Sequence, residues 1–246
     1  MIPKIIHYCW FGGKPLPPLA QKCIASWKQY CSDYEIIQWN ESNYCIENTC
    51  DFVKKAYACK KWAFVSDYAR LDVVWRYGGI YLDTDVELIQ SPDNLLLQGR
   101  GFFGCERVGV VASGLGFACE KEEPLLGEMM EVYHGLSFSL EKMAEFACPL
   151  INTSVLKKHG YEEKETLQEI SGIKILPTEY LCPENMWTGE VKYTDKTISI
   201  HHYAGSWQSV GSRFRTRWII IIKRFLPKRI VKCARKNIAK WKHHFE

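Results

Sequence analysis

Apolar positions along this chain alternate between strand-like runs and helical spacing. Ile2 to Trp10 is rich in Ile, Tyr and Trp, ends at Gly12-Gly13, and reads as a buried first strand. After Pro15-Leu16-Pro17-Pro18, the residues Ala20, Cys23, Ile24 and Trp27 recur at helical intervals. Tyr34 to Trp39 reads as a second strand, and Asn40 opens a turn. Residues 51–77 read as helix in two pieces, with Phe64, Tyr68, Leu71 and Trp75 as an apolar stripe and Gly78-Gly79 as the stop. Ile80-Tyr81-Leu82 is the short apolar run of a strand buried on both faces, and Val86 to Ile89 continues extended. Further strand-like runs are Gly101–Cys105, Val110–Ala118, Ile173–Leu176 and Thr197–Tyr203. Helices fit Pro124–His134, Leu140–Ala147 and Thr153–His159. This alternation predicts an α/β fold, a sheet between layers of helix, with ligands beyond the carboxyl ends of the strands.

Composition narrows the class. With 246 residues, 47% of them hydrophobic, and a net charge of only +4, the chain can bury a large core, which excludes a disordered protein. Nine Trp and thirteen Tyr supply rings for packing or for flat ligands such as sugars and bases. The eleven Cys are odd in number and contain no C-x-x-C pair, so reduced thiols and a cytoplasmic setting are expected. Met1 to His7 has no signal-peptide pattern, and the tail run Trp218 to Ile222 is far shorter than the roughly 20 residues of a membrane span.

Charge divides the chain at residue 213. Residues 213–246 hold twelve Lys/Arg and one acid, net +11, whereas the rest is net −7. We therefore expect a catalytic-type domain over 1–212 and a basic tail over 213–246. Basic residues interleaved with Trp218, Ile219 to Ile222, Phe225 and Trp241 suit helices lying in an anionic membrane surface, at its cytoplasmic face. The bland alternative packs the isoleucines onto the domain and leaves the charges solvated. Nucleic acid is not an expected partner, because the larger part is acidic and no recognition module is visible.

Chemistry concentrates at Asp83-Thr84-Asp85, directly after the buried run Gly78 to Leu82. Extended-chain alternation would point both carboxylates the same way, and two adjacent carboxylates repel unless a cation lies between them. Mg²⁺ or Mn²⁺ suits such oxygen ligands and takes phosphate oxygens as well. Upstream, Asp67 and Arg70 stand at i and i+3 on one helical face, as an ordinary ion pair or as a grip on sugar and phosphate oxygens. Near the end, Ile200-His201-His202-Tyr203-Ala204-Gly205-Ser206-Trp207 offers a metal-ligating histidine at a strand end and two phosphate donors.

Order and spacing over residues 2 to about 207 resemble glycosyltransferase family 32. The matching residues are Ile2-Pro3-Lys4-Ile5-Ile6-His7, Trp10-Phe11-Gly12-Gly13, Ser66-Asp67-x-x-Arg70, Gly78-Gly79-Ile80-Tyr81-Leu82-Asp83-Thr84-Asp85 and Gly205-Ser206-Trp207. A more distant likeness is to the clostridial toxin glucosyltransferases. The resemblance implies a GT-A fold with a mostly parallel sheet, a Mn²⁺ or Mg²⁺ cofactor, and retaining transfer from a UDP-sugar. The acceptor it implies is a saccharide or lipid-linked saccharide of polysaccharide or capsule synthesis. It gives Trp10 to uracil, Asp67 and Arg70 to the donor sugar, and Tyr81 to the donor pocket. Asp83, Asp85 and His202 fall to the metal, and Ser206 and Trp207 to the β-phosphate. Where many relatives carry an Asn at the sugar, this chain has Ser113. A toxin-like protein transferase and a non-catalytic sugar-nucleotide scaffold are the alternatives.

Overall fold

The first expected strand forms as β1, Ile5–Cys9, and the Pro-rich segment after it starts α1, Pro18–Tyr30, with Pro18 in its first turn where no N–H is needed. The chain continues through β2 (Glu35–Trp39), α2 (Asp51–Ala58), α3 (Trp62–Tyr77), β3 (Gly79–Tyr81), β4 (Val86–Leu88) and α4 (Asp93–Leu96). Next come β5 (Gly101–Arg107), β6 (Val110–Val111), β7 (Phe117–Cys119), α5 (Pro124–His134) and α6 (Cys148–Lys158). β8 (Gln168–Ile170), β9 (Ile173–Leu176), α7 (Thr178–Leu181) and β10 (Ser199–His201) complete the order. This computed structural model describes residues 1–97, 99–184 and 191–205. Among them no helix is long and apolar enough to cross a membrane.

The main sheet runs β2-β1-β3-β7-β5-β9-β8, with β6 added to β5. β1 is parallel to β2 and β3, and β5 to β9, while β7 and β8 run against their neighbours. The mixed α/β fold with a mostly parallel sheet is as expected. After α1 the chain adds β2 on one side of β1, and after α3 it adds β3 on the other. The carboxyl ends of β1 and β3 thus flank a topological switch point, where such sheets bind ligands.

Strand alternation sorts the core into two layers. Tyr81, Phe103, Phe117 and Ile175 face α2, α3, α5 and α6 on one side. Ile6, Tyr8, Ile80, Phe102 and Ala118 face α1, α4 and α7 on the other, where Trp27 is fully buried. Each large apolar side chain among them contributes about 1.5–3 kcal/mol of burial. His7 ties three segments together: Nε2 lies 2.8 Å from the Gly78 carbonyl and Nδ1 accepts from Trp39 Nε1 at 3.1 Å. Burial lowers its pKa to about 4, so the ring is neutral.

Several elements differ from expectation. Val110–Ala118 is not one strand: β6 gives way to a 3₁₀ turn at Ser113–Leu115 before β7. Gly114 and Gly116 interrupt the apolar run, and the backbone bends at that point. Leu140–Ala147 forms only a 3₁₀ turn, Met143–Phe146, and the following helix starts at Cys148 rather than Thr153. The ten cysteines among the described residues are free thiols.

Contacts within the chain define one unit of Met1–Pro183 with Lys192–Trp207, and a second of Glu184–Val191 with Gln208–Glu246. Of the second, the described part is an antiparallel bridge between Glu184 and Val191. The expected basic tail, 213–246, lies outside the described residues.

Candidate functional site

The site is built where α3 delivers side chains to the carboxyl end of β3. α3 is buried nearly all round, and its Asp67 and Arg70 are as buried as its apolar residues. At its end Gly78, with φ +68°, closes the helix, and Gly79, with φ +108°, turns straight into β3. A Cβ on Gly79 would stand 2.7 Å from the Ile5 carbonyl, so the strand could not enter the sheet beside β1 with a side chain at this position.

Arg70 is the hub. Its Nη2 lies 3.0 Å from Asp67 Oδ1 and 3.1 Å from Asp83 Oδ1, its Nε donates to the Ser66 carbonyl, and its guanidinium sits over the Tyr81 ring at 5.1 Å. Tyr81 donates to Asp83 at 2.9 Å. Burial raises Asp67 to about 6 despite the arginine, and burial also raises Asp83. Gly114 completes this corner, because a Cβ there would meet Asp83 Oδ2 at 2.7 Å and Arg70 Nη1 at 3.1 Å. Gly114 of Ser113-Gly114-Leu115-Gly116 is what permits this close approach. Ser113, expected at the sugar, is fully buried beside it, with its backbone N–H held by Asn152.

Asp85 is held differently. Thr84 and Asp85 occupy a turn closed by the Val86 N–H on the Asp83 carbonyl, not an extended strand. The carboxylates therefore converge through a turn, which corrects the alternation argument without moving the residues apart. β4 then pairs antiparallel with β10, setting His201 opposite Val86. This register brings His201 Nε2 to 3.3 Å from Asp85 Oδ1, and Asp85 Oδ2 accepts from the Ala204 N–H at 2.8 Å. Burial opposes ionisation of Asp85, but His201 and the Ala204 N–H outweigh it and hold the carboxyl at about 2.

Asp83, Asp85 and His201 each offer a ligand atom within 4.8 Å of the others. His202, assigned to the metal by resemblance, points elsewhere: its Nε2 lies 2.7 Å from Glu87, which also pairs with Lys22. Strand alternation sends the two imidazoles to opposite faces, and the register of β10 selects His201. The donor set fits a divalent ion. Two carboxylates and an imidazole converge, and His201 Nδ1 is buried with no hydrogen-bond partner among the described residues. One nitrogen among oxygens suits Mn²⁺ better than Mg²⁺, which prefers oxygens throughout.

Trp10 follows β1 directly and is partly exposed, with Nε1 donating to the Lys14 carbonyl at 2.5 Å. It thus stands at the same edge of the sheet as Asp83, across the β1/β3 junction. Ser206 and Trp207, expected at the β-phosphate, lie outside the described residues.

Residues 17–101, which carry α3, β3 and both acids of the D-x-D, match the family described as "Glycosyltransferase sugar-binding region containing DXD motif". The match covers about a third of the chain. Over 135 residues, 54% of its length, the chain is also 29% identical to human alpha-1,4-N-acetylglucosaminyltransferase. The matched stretch spans 36% of that enzyme's length. Among solved structures, "PaToxG Glycosyltransferase" superposes with a TM-score of 0.50 at 18% identity, over 64% of this chain and 68% of that one. The matched stretch thus sits in a GT-A fold, as the sequence resemblance implied. Arg70, Asp67, Asp83 and Asp85 lie inside it, whereas Trp10, Ser113 and His201 are brought to it by the rest of the fold.

Proposed function

We propose that this protein is a divalent-metal-dependent glycosyltransferase that moves a sugar from a nucleotide-sugar donor, a UDP-sugar by resemblance, with retention at the anomeric carbon. The observation that carries the proposal is the convergence of Asp83, Asp85 and His201 within 4.8 Å at a switch point, backed by the buried Arg70. A Mn²⁺ or Mg²⁺ ion held there supplies positive charge to a departing diphosphate. Arg70 fixes Asp67 and Asp83 before any ligand arrives, so the carboxylates need no rearrangement to meet sugar or ribose hydroxyls. Trp10 offers its ring to the base.

For the acceptor we propose a saccharide or lipid-linked saccharide in polysaccharide assembly. The support is a net charge of +11 over residues 213–246, which suits an anionic membrane surface facing the cytoplasm. Full-length protein is expected to sediment with anionic liposomes at low salt and to be released at high salt; indifference to such vesicles would remove the membrane part of the reading.

The test of the transferase reading is a donor panel. Purified protein with Mn²⁺ and a series of UDP- and GDP-sugars is assayed for nucleotide release with and without acceptor saccharides. Metal-dependent release from one or a few donors is expected. Release that survives chelation would overturn the metal role, and silence across the panel would overturn the activity.

A further inference from the structure

Beside His201, in the segment that wraps Asp85, stands Tyr203, a residue with no role in the transfer proposed above. Its backbone is left-handed, with φ +48°, a conformation that a bulky side chain rarely adopts. On one side of this turn the His202 N–H donates to the Asp85 carbonyl at 2.9 Å. On the other side the Ala204 N–H donates to Asp85 Oδ2 at 2.8 Å. The chain reverses at Tyr203, so a backbone and a carboxylate oxygen of Asp85 are gripped together. Glycine or asparagine would hold such a turn with less strain, and neither stands there. A strained position that keeps a large side chain points to a role for that side chain.

The contacts of the ring show what that role is. Tyr203 packs edge-on against the His201 imidazole, with 4.3 Å between centroids and 61° between planes. Its hydroxyl lies 2.8 Å from Sγ of the buried Cys182, just after α7, which anchors the far end of the ring. A ligating imidazole is ordinarily oriented by a hydrogen bond from its second ring nitrogen. His201 Nδ1 has no such bond among the described residues, while Nε2 faces Asp85 Oδ1 at 3.3 Å. We propose that Tyr203 is a positioning residue for the metal site. Its ring takes the place of the missing hydrogen bond and holds the His201 imidazole toward Asp83 and Asp85, while its left-handed turn closes the grip on Asp85. This inference rests on the metal reading above.

The experiment separates ring from turn with two substitutions. Tyr203→Phe keeps the ring and loses the hydroxyl, whereas Tyr203→Asn accepts the left-handed turn and loses the ring. The Mn²⁺ dissociation constant is measured in the presence of UDP, by electron paramagnetic resonance of the free ion, with metal-free melting temperatures in parallel. Tyr203→Asn is expected to weaken Mn²⁺ binding about tenfold or more, and Tyr203→Phe to stay within about threefold of wild type. Tyr203→Gly, which relieves the strain altogether, repeats the test of the ring should the Asn chain not fold, and should weaken Mn²⁺ binding as much. A ringless variant that melts lower yet binds Mn²⁺ as wild type does would make Tyr203 a packing residue alone. Equal losses in the Phe and Asn variants would assign the effect to the hydroxyl. Either result, or failure of both ringless variants to fold, overturns the inference and leaves the metal reading standing. A wild type that binds no Mn²⁺ overturns both.

Discussion

Asp83 is tied inward to a buried arginine, whereas Asp85, two residues on, faces a histidine with an unsatisfied ring nitrogen. The inner half of the site is complete as it stands. Arg70 has two carboxylates, a backbone carbonyl and an aromatic face, and Tyr81 donates to the same Asp83 oxygen that Arg70 pairs with. The outer half is less complete, since His201 Nδ1 lacks a hydrogen-bond partner among the described residues and, on the reading proposed above, its carboxylates share a cation. One half is scaffold and the other is open to ligand, so the same type of mutation should have different consequences in each.

The largest effect is expected from breaking the inner half. Arg70→Met leaves the buried Asp67 and the partly buried Asp83 without their common counter-charge, which costs about 3–5 kcal/mol of stability. Urea unfolding followed by Trp fluorescence measures it. Loss of activity at unchanged stability would mean that Arg70 is a ligand group and not the scaffold.

Asp85→Asn attacks the outer half. The side chain keeps its shape and its hydrogen bond from Ala204 but loses the charge that His201 favours, so its unfolding midpoint should fall, by less than that of the Arg70 variant. Nucleotide-sugar turnover should fall by at least about 100-fold, and a chelator should do the same to the native protein. Should the Asp85 and Arg70 variants unfold alike, the two halves would not differ in the way described.

How much of this division was legible in the sequence depended on the kind of signal. β3 and its terminal acids could be read because five apolar or glycine positions, Gly78 to Leu82, leading into two aspartates leave few alternatives. α3 was legible from the Phe64-Tyr68-Leu71-Trp75 stripe and the double glycine. The depth of Arg70 was not, because an i, i+3 pair looks the same on a solvated helix. The choice between His201 and His202 was also closed to sequence, since alternation says that they diverge but not which faces the acids. That choice needs the register of β10 on β4, a contact between segments more than a hundred residues apart.

Trp10 extends the comparison to the nucleotide end of the crevice. Its ring is partly exposed and one edge is fixed by the Lys14 carbonyl, so it can offer a face without contributing to either half. Trp10→Ala should weaken UDP binding by about 1–3 kcal/mol, read by calorimetry, and leave the Arg70 corner intact. A folded variant with unchanged affinity for UDP would rule out stacking.

The smallest effect, and the sharpest on geometry, separates the two histidines. His201→Ala removes one of three converging ligands but leaves both carboxylates, so the site should still fill at higher metal concentration. The Mn²⁺ needed for half-maximal turnover is expected to rise about tenfold or more, equivalent to about 1.4 kcal/mol or more. His202→Ala cuts only the contact to Glu87, which keeps its partner Lys22 at 2.8 Å. Its metal requirement should move by less than about threefold, and any loss should appear in stability at the β4–β10 ribbon. Titrating Mn²⁺ into both variants under saturating donor decides the matter. A larger shift for His202→Ala would mean that β10 slips by one residue when ligand binds, turning the other imidazole toward Asp85.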